Sequence, residues 1–408
     1  MSKPRIMIVG CGFPQLELLR FCRREGLHVI GVDLNPNAIG RAECDAFVEA
    51  STTDADGIVR GILEHRAHGV TTGGADHALL STATAAERAG LPFYATAATI
   101  AAAQHKDDMR ELYACAGAPS PVHRIVHSLD EAQAFAAEHG LPAVVKPARG
   151  WGQRGVRVVR EPGELEPAVA DALTAAATRM SSPRCVLEQF IEGREYSVDA
   201  YTVRGRTEVL AVTERIITGY PDPPGITFAE VYPSELDAEP LRLVQEAAQA
   251  GLQALGVDRG PSYTQLRYGS QGAFLVETAL RLGGGLDPDV TLLASGVSLY
   301  RKIVGVALAR PDWETCGAEA PAYGGATGRF IVARPGVVRA IRGLDAAREM
   351  PGVVNAEVYV QPGDTVHPLT DGSKRAGHVL ATGATRQQAE AHAAAAMARI
   401  EIDTGGAT

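Results

Sequence analysis

Along the first hundred residues, apolar positions recur in two different periods. RIMIVG, LHVIGVD, AFVEAS and GVTTGG are short apolar or β-branched runs, and such runs bounded by turn residues read as buried strands. Between them the spacing is helical: Leu16, Leu19 and Cys22 before Gly26, then stretches near 55–67 and from Asp76 onward. Strands that alternate with helices predict a parallel α/β layer, since a parallel pair needs a crossover connection.

After about residue 117 the pattern changes. HRIV, a helix opened by the capping-box pair Ser128 and Glu131, AVVKP, a glycine-rich loop and VRVV describe a small α+β lobe. A helix over 163–179 and the strand CVLEQFI complete it, with Pro119 and Pro121 as its hinge. Strands then dominate as YSVDAYTV and EVLAVTER, followed by a helix over 239–255. SYTQLRYGSQGAFLVETAL reads as two strands joined around GSQG, and YPDPPG at 220–225 as a loop. A final α+β piece over 325–402 closes with a helix that starts at the second capping-box pair, Thr385 and Gln388. The expected units are 1–116, 117–190, 191–318 and 319–408.

Composition narrows the function classes. The chain has 408 residues, more than one core usually supports, and is 46% hydrophobic and 21% charged, as soluble globular proteins are. No apolar run reaches the roughly 18 residues of a membrane span. The opening MSKPRIMIVGCG enters a strand at once, without a signal-peptide layout, and the six cysteines form no CxxC pair. A cytoplasmic location with reduced thiols is therefore expected. A net charge of −9 without a dense Lys/Arg cluster argues against a nucleic-acid partner. The turn GCGFPQ has Gln15 where a dinucleotide fingerprint needs its third glycine, although Asp33 stands where a ribose-binding acid would.

Candidate chemistry begins with AVVKPARGWGQRGVRVV, where Lys146 precedes Gly150, Gly152 and Gly155 between two β-branched runs. Glycines let backbone N–H groups approach an anion, but the same pattern also makes an ordinary hairpin turn. Other candidates lie in order around it: Lys106 before it, then Glu188 and Glu195 in LEQFIEGRE, then Gln265, Glu277, Arg281, Gly283 and Gly284. Taken singly, most read as solvated charges or hairpin polar residues. Their order and spacing resemble the ATP-grasp superfamily over nearly the whole chain. The tail from GVVRAIRGLDAAREMPGV to KRAGHVLATG is similar to the C-terminal lobe of its carbamoyl-phosphate-synthase-like and L-amino acid ligase branch.

The resemblance implies a fold and a set of roles. The fold would be multidomain α/β and α+β, with a parallel pre-grasp layer, a small mobile lid and a catalytic α+β domain. Lys106 and Lys146 would hold nucleotide phosphates, and Gly150, Gly152 and Gly155 would close over the β- and γ-phosphates. Glu188 and the backbone at Phe190–Ile191 would meet adenine, and Glu195 the ribose. Gln265 and Glu277 would hold Mg2+, with Mn2+ as an alternative ion. Arg281 would fork with the substrate carboxylate or the transferred phosphoryl group, and the N–H groups of Gly283 and Gly284 would face an oxyanion. The family pattern has a carboxylate where Gln265 stands and Asn where Ala279 stands, so a metal would rest on fewer protein ligands here.

ATP would phosphorylate a small carboxylate, and an amine would then displace phosphate, with amino acids as the two substrates and a homodimer as the assembly. Two alternatives remain open at this point. One is a carboxyphosphate or carbamoyl-phosphate enzyme, although a single grasp module is present. The other is a nucleotide-binding regulator with reduced turnover.

Overall fold

The computed structural model describes residues 3–150, 155–217, 225–318 and 322–405. Its first layer is a parallel sheet in the order Ala46–Glu49, His28–Asp33, Arg5–Val9, Gly69–Thr71. Successive side chains of a strand point to opposite faces, and Arg5–Val9 uses both. Ile6 and Ile8 pack against Leu18 and Leu19 of the helix Phe13–Arg24 and against Ile303 and Val304 of the helix Leu299–Ala307. Met7 and Val9 pack instead against Ile58 and Ile62 of the helix Ala55–His65. The layer is thereby docked onto a helix from three hundred residues later.

The dinucleotide-like turn is filled from within. A Cβ at Gly10 would lie 2.8 Å from the Gln15 side chain, which is itself buried. Asp33 accepts from the N–H groups of Cys11 (2.8 Å) and Asn35 (2.9 Å). Both are local structural roles.

The small lobe is an antiparallel sheet in the order His123–Val126, Cys185–Gln189, Ala143–Pro147, Arg157–Val159. The strands around the glycine loop pair as the expected hairpin, with Ala143 opposite Val159. Two helices, Leu129–His139 and Leu165–Ala177, bring Phe135, Leu165 and Val169 onto Val145 and Leu187. Both capping boxes form, but with a shift. Ser128 and Thr385 accept from the N–H groups of Glu131 and Gln388 as expected. The reciprocal bonds run from His127 and Ala384, one residue before the cap.

The large sheet is antiparallel and has eight strands, in the order Gly272–Ala279, Arg259–Gly269, Arg194–Val203, Arg206–Ile217, Thr227–Tyr232, Gly325–Ile331, Gly377–Gly383, Val353–Val358. It runs unbroken across the division expected at 318/319. The tail ends in a short strand, Glu401–Asp403, paired with Ala340–Arg342. That strand follows the helix Arg386–Met397, so a strand and not the helix is the last element of the tail.

One face of the large sheet is covered by the helix Ala238–Ala254 and by Met109 and Tyr113 of the helix Lys106–Ala116. Tyr196, Val198, Leu266 and Leu275 point to that side, so Glu195, Ser197, Gln265 and Arg267 point to the other. Leu275 and Glu277 are two residues apart and would share a face in a regular strand. A bulge at Val276 separates them: Glu277 lies opposite Gln265, and Leu275 opposite Leu266. Among the described residues no single helix is long and apolar enough to cross a membrane.

Candidate active site

A cleft of about 510 Å³ opens between the small lobe, the start of the helix Lys106–Ala116, the polar face of the large sheet and the turn after Thr71. Lys106, Lys146, Gly150, Glu188, Phe190, Ile191, Glu195, Gln265, Glu277, Arg281 and Gly284 all line it. The sequence candidates therefore converge, although several have partners that their spacing did not reveal.

Lys146 lies on the strand Ala143–Pro147 and reaches Glu188 Oε2 at 2.7 Å. Arg110, one helical turn after Lys106, takes Glu188 Oε1 at 2.7 Å and donates to the carbonyls of Leu275 (3.1 Å) and Val276 (2.8 Å). Burial pushes the Glu188 carboxyl up, but Arg110 and Lys146 outweigh it and hold the group down at about 2. Burial lowers the Lys146 ammonium, with Glu188 opposing. Glu188 thus differs from its expected role: each oxygen already holds a cation, and its side chain fixes Lys146.

Lys106 Nζ donates to the Gly150 carbonyl at 2.9 Å and lies 3.5 Å from Glu277 Oε1. The adjoining Arg149 is fixed by Asp107 and, at 3.2 Å, by Asp108. Gly150 has φ +149, a conformation suited to glycine, and faces the cleft. Gly155 does not: a Cβ there would meet Pro147 and Ala175, on the back of the hairpin. Gly152 lies outside the described residues.

At the opposite end Phe190 is flanked by the guanidinium of Arg267, 4.7 Å from its ring centroid. Its N–H is spent on Pro142, and the Ile191 carbonyl takes Arg267 at 3.0 Å. The Ile191 N–H has no acceptor among the described residues. Glu195 is clamped by Arg215 (2.9 Å) and Arg267 (2.6 Å).

Gln265 and Glu277 stand side by side across the hairpin, with Gln265 Nε2 3.5 Å from the Tyr263 hydroxyl. No group of three or more His, Cys, Asp or Glu among the described residues could hold a metal by itself. One carboxylate and one amide oxygen fit a Mg2+ that draws its remaining ligands from phosphate and water.

Arg281 also differs from its expected role. Its Nε and NH2 fork onto Asp76 at 2.7 and 2.6 Å, and NH1 donates to the Leu282 carbonyl. The guanidinium is engaged within the chain and joins the parallel layer to the glycine turn. The N–H groups of Gly283 and Gly284 have no acceptor among the described residues. Sequence reading missed Arg110, Arg267 and Asp76. The first two carried a signal: Arg110 shares a helical face with Lys106, and Arg267 shares a strand face with Gln265.

A model of the ATP-grasp domain matches residues 139–289, and a model of the L-amino acid ligase C-terminal domain 2 matches residues 329–405. The uncharacterized protein y4rH of Sinorhizobium fredii is 34% identical over 288 residues, 70% of this chain; the match spans 58% of that protein's length. Formate-dependent phosphoribosylglycinamide formyltransferase of Burkholderia pseudomallei is 28% identical, over 98% of this chain and 95% of its own. The crystal structure of the L-amino acid ligase from Bacillus licheniformis superposes with a TM-score of 0.82 at 21% identity, covering 100% of both chains. At that identity the likeness speaks for the fold.

Proposed function

The chain belongs to the ATP-grasp superfamily, and from that premise we propose that it is an ADP-forming ligase joining a small carboxylate to a small amine. The observation that carries the reading is that Lys106, Lys146, Gln265, Glu277 and the glycine turn at Gly284 line one cleft. A carboxylate oxygen attacks the γ-phosphorus and ADP leaves. The amine then attacks the acyl carbon, phosphate departs, and the amine loses a proton. Such transfer depends chiefly on positioning and charge neutralisation.

In this reading Lys106 and Lys146 hold phosphates as point charges, with Glu188 fixing Lys146. The Phe190 carbonyl and the Ile191 N–H meet the hydrogen-bonding edge of adenine, and Glu195 accepts from the ribose. Glu277 and Gln265 hold the magnesium ion, or manganese with the same oxygen ligands, and the ion neutralises phosphate charge when bound. The N–H groups of Gly283 and Gly284 face the acyl oxygen, while Arg281 positions that turn through Asp76. Closure of the small lobe excludes water from the acyl phosphate. Amino acids are the substrates, the assembly is a homodimer, and the location is cytoplasmic.

ADP release with ATP and magnesium, screened over pairs of amino acids, tests the reading. The rate should require both a carboxylate and an amine. Dependence on bicarbonate instead would identify a carboxyphosphate enzyme. Nucleotide binding without ADP release from any pair would leave a regulator.

A further inference from the structure

Gly31 lies on the strand His28–Asp33 of the parallel layer, paired with Ile8 on one side and Phe47 on the other. A Cβ on Gly31 would collide with two sulfurs, those of Cys11 and Cys44. The missing side chain leaves the space in which these atoms meet, Sγ to Sγ at 3.9 Å. The two residues are 33 apart in sequence and arrive from different elements. Cys11 lies in the turn after the strand Arg5–Val9, and Cys44 sits between the short helical turn Ile39–Glu43 and the strand Ala46–Glu49.

Their surroundings make the two thiols unlike. Cys11 is fully buried and fixed on both sides: its N–H donates to Asp33 Oδ2 and its carbonyl accepts from the Gly40 N–H, both at 2.8 Å. Cys44 is half-buried, and its thiol can donate to the Gly40 carbonyl at 3.4 Å. A hydrogen bond from Cys11 lowers the Cys44 thiol; burial opposes this, and the Arg41 guanidinium, held 4.8 Å from the centroid of the Phe47 ring, adds to the lowering. Cys11 is pushed up, first by the same hydrogen bond and then by burial. Cys44 is therefore both the sulfur that ionises first and the one a solute can reach, and the thiolate is the nucleophile.

We propose that Cys11 and Cys44 form an oxidation site that a hydroperoxide converts to a reversible disulfide, with Cys44 as the attacking sulfur and Cys11 as the resolving one. The site is independent of the ligase reading. The Cys44 thiolate attacks one peroxide oxygen, the O–O bond breaks, and the leaving hydroxide takes up the proton that Cys44 had lost. Cys44 is then a sulfenic acid. The Cys11 sulfur displaces hydroxide from it, the S–S bond forms, and the Cys11 proton leaves with that hydroxide as a second water. Two thiols lose two electrons and one peroxide gains them. A disulfide needs its sulfurs about 2.0 Å apart, so the pair must approach by roughly 2 Å. Cys44 can supply the movement, because it lies between elements while Cys11 is held by Asp33 and Gly40. A dithiol reverses the bond by exchange.

The test uses the reduced full chain with hydrogen peroxide, alkylation of the remaining thiols in denaturant, and peptide mapping by mass spectrometry without reduction. Cys22 and Cys185, whose thiols burial pushes up, serve as internal references. The link between Cys11 and Cys44 should form at least about tenfold faster than either reference thiol is lost, and dithiothreitol should restore both thiols. In Cys44→Ser, Cys11 should remain a free thiol at the same peroxide dose. In Cys11→Ser, or in Cys11→Ala if the serine variant does not fold, Cys44 should stop at the sulfenic acid and be captured by dimedone.

A native protein that keeps both thiols, or that carries Cys44 to the sulfinic acid without a link, would overturn the proposal. So would a link that forms only after unfolding, when Gly31 no longer sets the distance between the sulfurs. Oxidation of Cys11 in Cys44→Ser at the wild-type rate would overturn the assignment of the attacking sulfur.

Discussion

Arg110 follows Lys106 by one helical turn, yet the two cations do different work. Lys106 reaches the glycine loop and Glu277, whereas Arg110 is fully buried and holds Glu188 and two sheet carbonyls. Removing one partner of a buried ion pair strands the other, which typically costs about 3–5 kcal/mol. Arg110→Met should lose about that much stability in urea unfolding, and adding Glu188→Gln should recover part of it. A loss below about 1 kcal/mol would show that Glu188 does not depend on Arg110. The sign of the pH dependence follows from the depressed carboxyl. Glu188 titrates near 4.5 when unfolded and at about 2 when folded. Its share of stability is complete above about pH 4.5 and is lost as pH falls toward 2. The stability gap between wild type and Glu188→Gln should therefore narrow from pH 5 to pH 3. Lys146 and Glu277 were legible because a loop or hairpin displays them close to their motif. Arg110 and Asp76 were not, because their partners lie 78 and 205 residues away, and sequence spacing says nothing about contacts closed by tertiary packing.

At the scale of single elements, hairpins were the most legible part. β-Branched runs on either side of the glycines located the loop around Gly150, and the two strands joined around GSQG located the hairpin of Gln265 and Glu277, whose roles the family resemblance implied. What alternation could not show was the bulge at Val276, which turns Glu277 into the cleft while Leu275 keeps to the core. Glycine count was also misleading: Gly150 faces the cleft and Gly155 packs behind the hairpin. Two predictions belong here. Hydrogen exchange in the peptide covering 143–159 should slow on adding a non-hydrolysable ATP analogue, because N–H groups gain phosphate acceptors. Unchanged exchange would remove the loop from nucleotide binding. Gln265→Glu should lower the magnesium concentration needed for half-maximal ADP formation, by adding an anionic oxygen beside Glu277. Gln265→Ala should raise it, and equal curves for the three proteins would leave Gln265 as a strand residue only.

For the whole molecule, the question is what brings the parallel layer to a site built mainly on other elements. Gly74 and Gly283 answer it by backbone contact. A Cβ on Gly74 would lie 2.2 Å from the Gly283 carbonyl oxygen and 2.7 Å from Gly284 Cα, neither of which can rotate away. Two residues on, Asp76 takes the Arg281 fork. The layer thus buttresses the turn that presents the Gly283 and Gly284 N–H groups. Gly74→Ala should force the two backbones apart, costing about 1–3 kcal/mol, as overpacking does. If the turn positions the acyl oxygen, misplacement by about 1 Å should lower kcat by up to about 100-fold. Nucleotide affinity, set by the lysines and by Phe190–Ile191 at the other end of the cleft, should change little. The measurements are thermal melting, ATP-analogue binding and ADP release for Gly74→Ala beside Gly73→Ala. At Gly73 a Cβ would meet the Pro14 carbonyl oxygen at 2.6 Å, within the parallel layer itself. Gly73→Ala should therefore lose stability with a smaller effect on kcat. Similar kcat values for the two variants would show that the parallel layer supports the fold without setting the geometry of the glycine turn.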